Sequence, residues 1–306
     1  MLDDHVRRAL ISSLLSTDDF KPPSALVRAD VAARSRKGGA GEHDDHYLVV
    51  RLGRYEETLL TSLTGRDVPP RFDEYAYAAV VADGIGDGGA GATAARLAIS
   101  SLANLQLRFG HWDMRIDPDI ASDIVDRSAL WFRRTHEAVL QWHRAHLEVG
   151  RMAATLTGIY SAGNDLFVAN VGHSRCYLFR RGRLTQLTRD QTVQARLAAA
   201  QQPTPVGRGL EDPPHILTDS IGAEVEDPDV MVEHFRLEDD DTLLLCSNGL
   251  TDIVPDERIA DTLASRRALP EQSELLVDAA LAGGGQDNVT VVLANYHFLE
   301  ELDSRW

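Results

Sequence analysis

The chain has 306 residues, 43% hydrophobic and 25% charged, the make-up of a soluble globular protein with ample material for a core. Its 47 acidic against 31 basic residues leave a formal net charge of -16, and such a surface repels phosphate backbones and anionic lipid, which excludes non-specific nucleic-acid binding. Two cysteines, Cys176 and Cys246, are too few for a disulfide framework, and each lies in an apolar run that reads as a buried thiol.

The first residues, "MLDDHVRRALISSLL", place acid before base and hold no long apolar core, so they are not read as a signal peptide. Residues 4–15 recur at helical spacing, and a helical extension over 1–20 is expected ahead of a main domain over 21–300. No stretch approaches the ~18 uninterrupted apolar residues of a membrane span, and the expected setting is cytoplasmic, without membrane contact.

"SALVRADVAARS", "HYLVVRL" and "EYAYAAVVADG" then read as strands. Between the last two, "GRYEETLLTSLTGRDVPPRFD" is expected to form a helical turn and then a loop, broken by Pro69-Pro70. Small residues from Gly89 to Leu107 predict one helix, and apolar residues at three- and four-residue intervals from Ile120 to Leu147 predict a second. His136, His143 and His146 on the second are read as solvated or interhelical.

After Gly150 the period falls to two, and "AATLTGIYSAGNDLFVANVGHSRCYLFRRGRLTQLT" predicts four consecutive antiparallel strands with turns at Gly163-Asn164 and Arg181-Gly182. A helix at "RDQTVQARLAAAQQ", a surface loop at "PTPVGRGLEDPP", two strands, two helices opened by proline and a last strand at "DNVTVVLANY" complete the chain. Strands grouped in antiparallel sets, with helix pairs between the groups, give an α+β class in one domain.

The segment "VVADGIGDGGAG" contains Gly84-Ile-Gly86-Asp-Gly-Gly89, a literal G-x-G-x-x-G. A dinucleotide site needs a following strand with an acidic residue about 20 positions on, and a second long helix stands there instead. The same segment also places Asp83 at the end of an apolar run. "EHDDHYLV", "LCSNGLTD" and "GGQDNVTVV" repeat that arrangement of acid or amide at a strand end. Each alone is an ordinary turn; four together suit convergence of oxygen ligands on hard divalent cations.

These segments resemble, in order, the motifs of the metal-dependent type 2C (PPM) protein serine/threonine phosphatases in their bacterial form. "VADGIGDGGAGATAA" is similar to the family's Asp-Gly-Met-Gly segment, and "VANVGHSRCYLF" to its Gly-Asp-Ser-Arg strand pair. "LLLCSNGLTDIV" is similar to its Ser-Asp-Gly segment, and "GGGQDNVTVV" to its closing Asp-Asn-x-Thr. The resemblance runs from about Val31 to Tyr296. It implies an αββα four-layer sandwich, two antiparallel sheets flanked by helix pairs, with two Mn2+ or Mg2+ ions at one edge. It further implies hydrolysis of phosphoserine and phosphothreonine in phosphorylated proteins by direct attack of a metal-bridging water, in opposition to a cognate serine/threonine kinase.

Carried over by position, Asp83 bridges both metals and Gly84 offers its carbonyl oxygen. Asp287 binds one metal, and Asp45, with Asp44 beside it, holds the other side. Three positions depart from the family. Asn248 stands where the Ser-Asp-Gly aspartate is a ligand, and keeps a carbonyl oxygen without the charge. His173 replaces the Gly-Asp-Ser-Arg aspartate, which with the retained Asp252 would form a third site; it is either a ligand or a hydrogen-bonded strand residue. The arginine that holds substrate phosphate is absent in register, leaving Arg36 to fold back over "GGAG" or to form an exposed basic pair with Lys37. Four carboxylates and a bridging hydroxide still balance two divalent cations, so an active phosphatase is the leading expectation. A pseudophosphatase, a binding or regulatory module on the same fold, is the alternative.

Overall fold

A computed structural model describes residues 26–39, 42–64, 68–111, 116–200, 216–224 and 227–299. The expected helix at 4–15 and the loop "PTPVGRGLEDPP" lie outside the described residues.

Two five-stranded antiparallel sheets form the body. One is built from β1 (Val27–Arg36), β8 (Arg175–Arg180), β9 (Arg183–Gln186), β11 (Thr242–Cys246) and β12 (Val289–Phe298), in the order β1-β12-β11-β8-β9. The other holds β2 (His46–Glu57), β3 (Arg71–Ala82), β6 (Leu156–Ala162), β7 (Asp165–Val171) and β10 (Met231–Arg236), in the order β10-β7-β6-β3-β2. A two-stranded ribbon, β4 (Gly84–Gly86) with β5 (Met152–Ala154), stands beside them.

The central strands are covered on both faces, which is why they are apolar without alternation: all of Thr242–Cys246 is buried, as is all of Asp165–Val171. Tyr77, Val81, Ile159, Val168, Leu243, Leu245 and Tyr296 fill the space between the sheets. On the outer face of the second sheet lie α1 (Ala90–Phe109) and α2 (Pro118–Ala145). Ala90, Ala94, Ala95 and Ala98 let the first half of α1 close on the strands. The start of α2 is fixed by Asp117, whose carboxylate accepts from the backbone N–H groups of Asp119 and Ile120, and by Pro118 in the first turn. On the far side, after the short α3 (Val193–Ala199), come α4 (Asn248–Thr251), α5 (Asp256–Leu263) and α6 (Leu269–Ala282). Leu250, Ile259, Leu276 and Val277 pack on Leu244, Val291 and Leu293 there. The layers are helix, sheet, sheet, helix.

Three local expectations are corrected. Among the described residues 53–64 there is no helical turn: β2 itself continues to Glu57, pairing with Arg71, and bends follow at residues 60, 62 and 63. The four strands after Gly150 are not one sheet. β6 and β7 pair in one, β8 and β9 in the other, and the chain crosses between them at Gly172, whose φ of 103° suits glycine alone. Pro255 precedes α5 as its cap, whereas Pro270 does lie in the first turn of α6. Cys176 and Cys246 are buried free thiols, and His136 is buried with its Nδ1 accepting from the Gly222 N–H at 3.2 Å.

Candidate metal centre

The ends of four strands, two from each sheet, meet at one edge of the sandwich. Asp45 precedes β2, Asp83 follows β3, Asn248 follows β11, and Asp287 precedes β12. Asp83, Gly84, His173, Asn248, Asp252 and Asp287 line one cavity of about 480 Å3.

Hydroxyl side chains fix the carboxylates. Ser247 Oγ donates to Asp45 Oδ2 at 2.7 Å, a bond that ties one sheet to the other, and itself accepts from the Thr290 N–H at 3.0 Å. Asp83 is gripped through its backbone: its N–H donates to Thr155 Oγ1 at 3.2 Å, and its carbonyl accepts from the Thr155 N–H at 2.8 Å. Thr155 Oγ1 in turn lies 2.6 Å from Ser174 Oγ. Ser247, Thr155, Ser174 and Thr290 are positioning residues that the sequence analysis did not single out. Their signal was a hydroxyl embedded in an apolar strand end, where burial demands a partner.

Asn248 Nδ2 donates to Asp252 Oδ2 at 2.9 Å and to Asp287 Oδ2 at 3.3 Å. Two acceptors on the nitrogen side settle the amide's orientation. Asp44 Oδ1 accepts from the Ala92 N–H at 3.0 Å, so this carboxylate also caps the positive end of α1. Gly84 is required by close approach: a Cβ there would lie 2.1 Å from the Gly91 carbonyl oxygen and 2.9 Å from that of Asp44.

The electrostatics are those of carboxylates short of positive charge. Asp83 is raised well above the ordinary carboxylate range, by burial first and then by the neighbouring carboxylates of Asp45 and Asp287. Asp45 is pushed up to about 6, again chiefly by burial, against the lowering effect of Ser247 and Thr290. Burial likewise raises Asp44. Among the described residues lining the cavity there is no Lys or Arg.

These residues fit divalent cations on three observations. The donors are oxygen-rich, the set hard cations take. Asp45 Oδ1 and Asn248 Oδ1 are buried without any hydrogen-bond partner, and a buried lone pair with none is an expensive arrangement unless a cation completes it. The mutually raised carboxylates supply the attraction. Among the described residues, no group of three or more His, Cys, Asp or Glu side chains is already drawn tight enough to hold an ion. The hydrogen bonds from Asn248 to Asp252 and Asp287 occupy carboxylate oxygens that a cation would recruit.

His173 is 8% exposed, with Nδ1 3.9 Å from Asp83 Oδ2, so it belongs to the same cavity as Asp252. Arg36 does not. Its guanidinium pairs with Glu274 and, at 2.8 Å, with Asp278 on α6, because Gly38 and Gly39 lie against the backbone of Asp287 and Gln286. A Cβ on Gly38 would stand 2.0 Å from the Asp287 carbonyl oxygen. The glycines serve this close packing and do not turn Arg36 inward. That expectation is corrected.

The model of a known family, protein phosphatase 2C, matches residues 77–197 and 222–289. Serine/threonine protein phosphatase PstP of Mycobacterium tuberculosis is 33% identical over 215 residues, 70% of this chain but only 39% of that relative's length. Serine/threonine phosphatase stp of Listeria monocytogenes is 30% identical over 219 residues, 70% of this chain and 82% of the relative. Protein phosphatase PhpP of Streptococcus pneumoniae is 32% identical over 223 residues, 71% and 84% respectively. Among solved structures, the PstP catalytic domain in complex with two manganese ions superposes with a TM-score of 0.67 at 28% identity, covering 89% of this chain and 99% of that one.

Proposed function

Because the chain belongs to the protein phosphatase 2C family, we propose that it hydrolyses phosphoserine and phosphothreonine in proteins with two divalent cations, Mn2+ or Mg2+, at the cavity described above. One observation carries the reading. Asp45, Asp83, Asn248 and Asp287, spread over more than two hundred residues of chain, come together at one edge of the two sheets, and two of them keep a buried oxygen with no partner.

Each residue has a definite task. Asp83 and Asp45, buried carboxylates that raise one another, would hold the cations together with Asp287 and the carbonyl of Gly84. Asn248 would give its Oδ1, oriented by the bonds its nitrogen makes to Asp252 and Asp287. Asp44 would act from behind, holding α1 in register while adding negative charge. Bound there, the cations supply Lewis acidity, neutralising phosphoryl oxygens and lowering the pKa of water. The protein contributes position, since Ser247, Thr155 and Thr290 hold the carboxylates in place before substrate arrives. His173 and Asp252 are the candidates for a third site, and imidazole there would favour Mn2+ or a later metal over Mg2+.

The substrates would be phosphoproteins and the opposing activity a serine/threonine kinase, which makes the setting one of cytoplasmic signalling. Among the described residues no helix is long and apolar enough to cross a membrane. Hydrolysis of p-nitrophenyl phosphate with millimolar Mn2+ tests the reading. Turnover should be abolished by chelator and reduced by Asp83→Ala at least about a hundredfold. Turnover insensitive to chelator, or none at all, would leave the fold as a binding module.

A further inference from the structure

The cavity at the metal centre, about 480 Å3, falls within the ~300–1,000 Å3 of sites that enclose a whole ligand, so side chains beside a phosphorylated residue enter it as well. Besides the polar set, two apolar side chains line it, Ile85 and Leu217. They come from separate elements, and each stands on a fixed base. Ile85 pairs with Ala153 across the β4–β5 ribbon and is 38% exposed. It is the one side chain that β4 presents, because the glycines on either side pack against backbone. A Cβ on Gly84 would meet the Gly91 carbonyl, and one on Gly86 the Arg151 carbonyl. Leu217 bridges to Thr192, just before α3. There the Thr218 N–H donates to the Gln191 carbonyl and the Val193 N–H to the Ile216 carbonyl, both at 2.9 Å. Gln191 Oε1 in turn accepts from the Gly172 N–H at 2.7 Å, which ties this frame to the chain entering His173.

We infer, resting on the phosphatase reading above, that Ile85 and Leu217 select the substrate: a phosphoresidue whose immediate neighbour in the chain is apolar. With cations bound, the charges of Asp83 and Asp287 are taken up, and Asp252 already accepts from Asn248 Nδ2 at 2.9 Å. No Lys or Arg lines the cavity among the described residues, so the walls hold no cation for an acidic neighbour. What they offer beyond the metal ligands is apolar surface, and an apolar neighbour laid against it removes both surfaces from water. One exposed isoleucine on a protein surface is ordinary; two apolar side chains lining one otherwise polar cavity make a contact surface. The reach is short. Ile85 follows Gly84, whose carbonyl is a candidate ligand, and consecutive Cα atoms lie ~3.8 Å apart, so the residue next to the phosphoresidue is the one that arrives there.

Steady-state kinetics with Mn2+ on the full chain tests this, using phosphoserine peptides that differ only in the residues flanking the phosphoserine: Leu, Ala, Lys or Glu. In the wild type kcat/KM should be about tenfold higher with Leu than with Ala, the scale of discrimination a small apolar contact gives, and Lys and Glu should do no better than Ala. In Leu217→Ser and, separately, Ile85→Ser, the Leu-over-Ala ratio should fall to about twofold or less, through KM more than kcat. A ratio near one in the wild type overturns the inference, and so does a ratio that survives in both variants. Preference for Lys overturns it too, and assigns selection to the acidic residues. p-Nitrophenyl phosphate, which has no neighbouring residue, separates the two readings. Its turnover by the wild type without discrimination among the peptides removes this inference alone; no turnover of any substrate removes the phosphatase reading and this inference with it.

Discussion

At the scale of single residues, the centre is a set of carboxylates held in place at electrostatic cost. Asp45 is 2% exposed and has one oxygen bound to Ser247 and the other without a partner, an arrangement a solvent-facing turn would never need. Asn248 is where this chain departs from a fully charged set. Its neutral oxygen attracts a cation less than a carboxylate would, while its nitrogen bonds spare Asp252 and Asp287 some repulsion. Replacing it by aspartate restores one charge to the site. Asn248→Asp should tighten Mn2+ binding about tenfold, as added ligand charge does in oxygen-lined sites, and calorimetric titration reads that directly. No change in affinity would place Asn248 outside the coordination sphere. Arg36, by contrast, is spoken for by Glu274 and Asp278, and its role is to pin β1 to α6.

Elements explain why residues so far apart in the chain arrive together. Asp45 and Asp83 flank the His46–Ala82 pair of the β2–β3 hairpin, so antiparallel register alone brings them level. Asn248 and Asp287 flank the Cys246–Val291 end of the β11–β12 pair in the other sheet by the same logic. The Ser247–Asp45 bond then joins the two strand pairs. Against this frame β4 and the start of α1 must approach to backbone contact. In Gly84→Ala the new methyl meets the Gly91 carbonyl, which no side-chain rotation can relieve. The substitution should cost about 1–3 kcal/mol in urea unfolding. Stability equal to wild type would mean that the ribbon and helix are not in register as described.

Across the whole molecule, strand and helix identities were legible because burial on both faces writes long apolar runs, as in "TLLLC" and "VTVVLA". The two long helices were legible from helical spacing and small residues, although α2 begins at Pro118 and ends at Ala145, two residues before each expected bound. What period alone does not carry is partnership. "LFVANVGHSRCYLF" alternates like one meander, yet Gly172 sends β8 into the other sheet, a choice made by long-range packing between sheets. The same holds at the centre. Acidic strand ends were visible as residues, and their order resembled a family, but the hydroxyls of Ser247 and Thr155 and the Thr290 N–H take on meaning only when burial shows whom they hold. Which way Arg36 turns was open for the complementary reason, since its acidic partners lie some 240 residues away on α6.

The central claim is that one edge of the paired sheets collects two divalent cations through Asp83 and its neighbours. Equilibrium dialysis of Mn2+ against the purified chain measures this without reference to any substrate. The account predicts two saturable ions per chain, and loss of at least one when Asp83 becomes asparagine. Absence of saturable binding at millimolar Mn2+, or identical stoichiometry and affinity in Asp83→Asn, would contradict it.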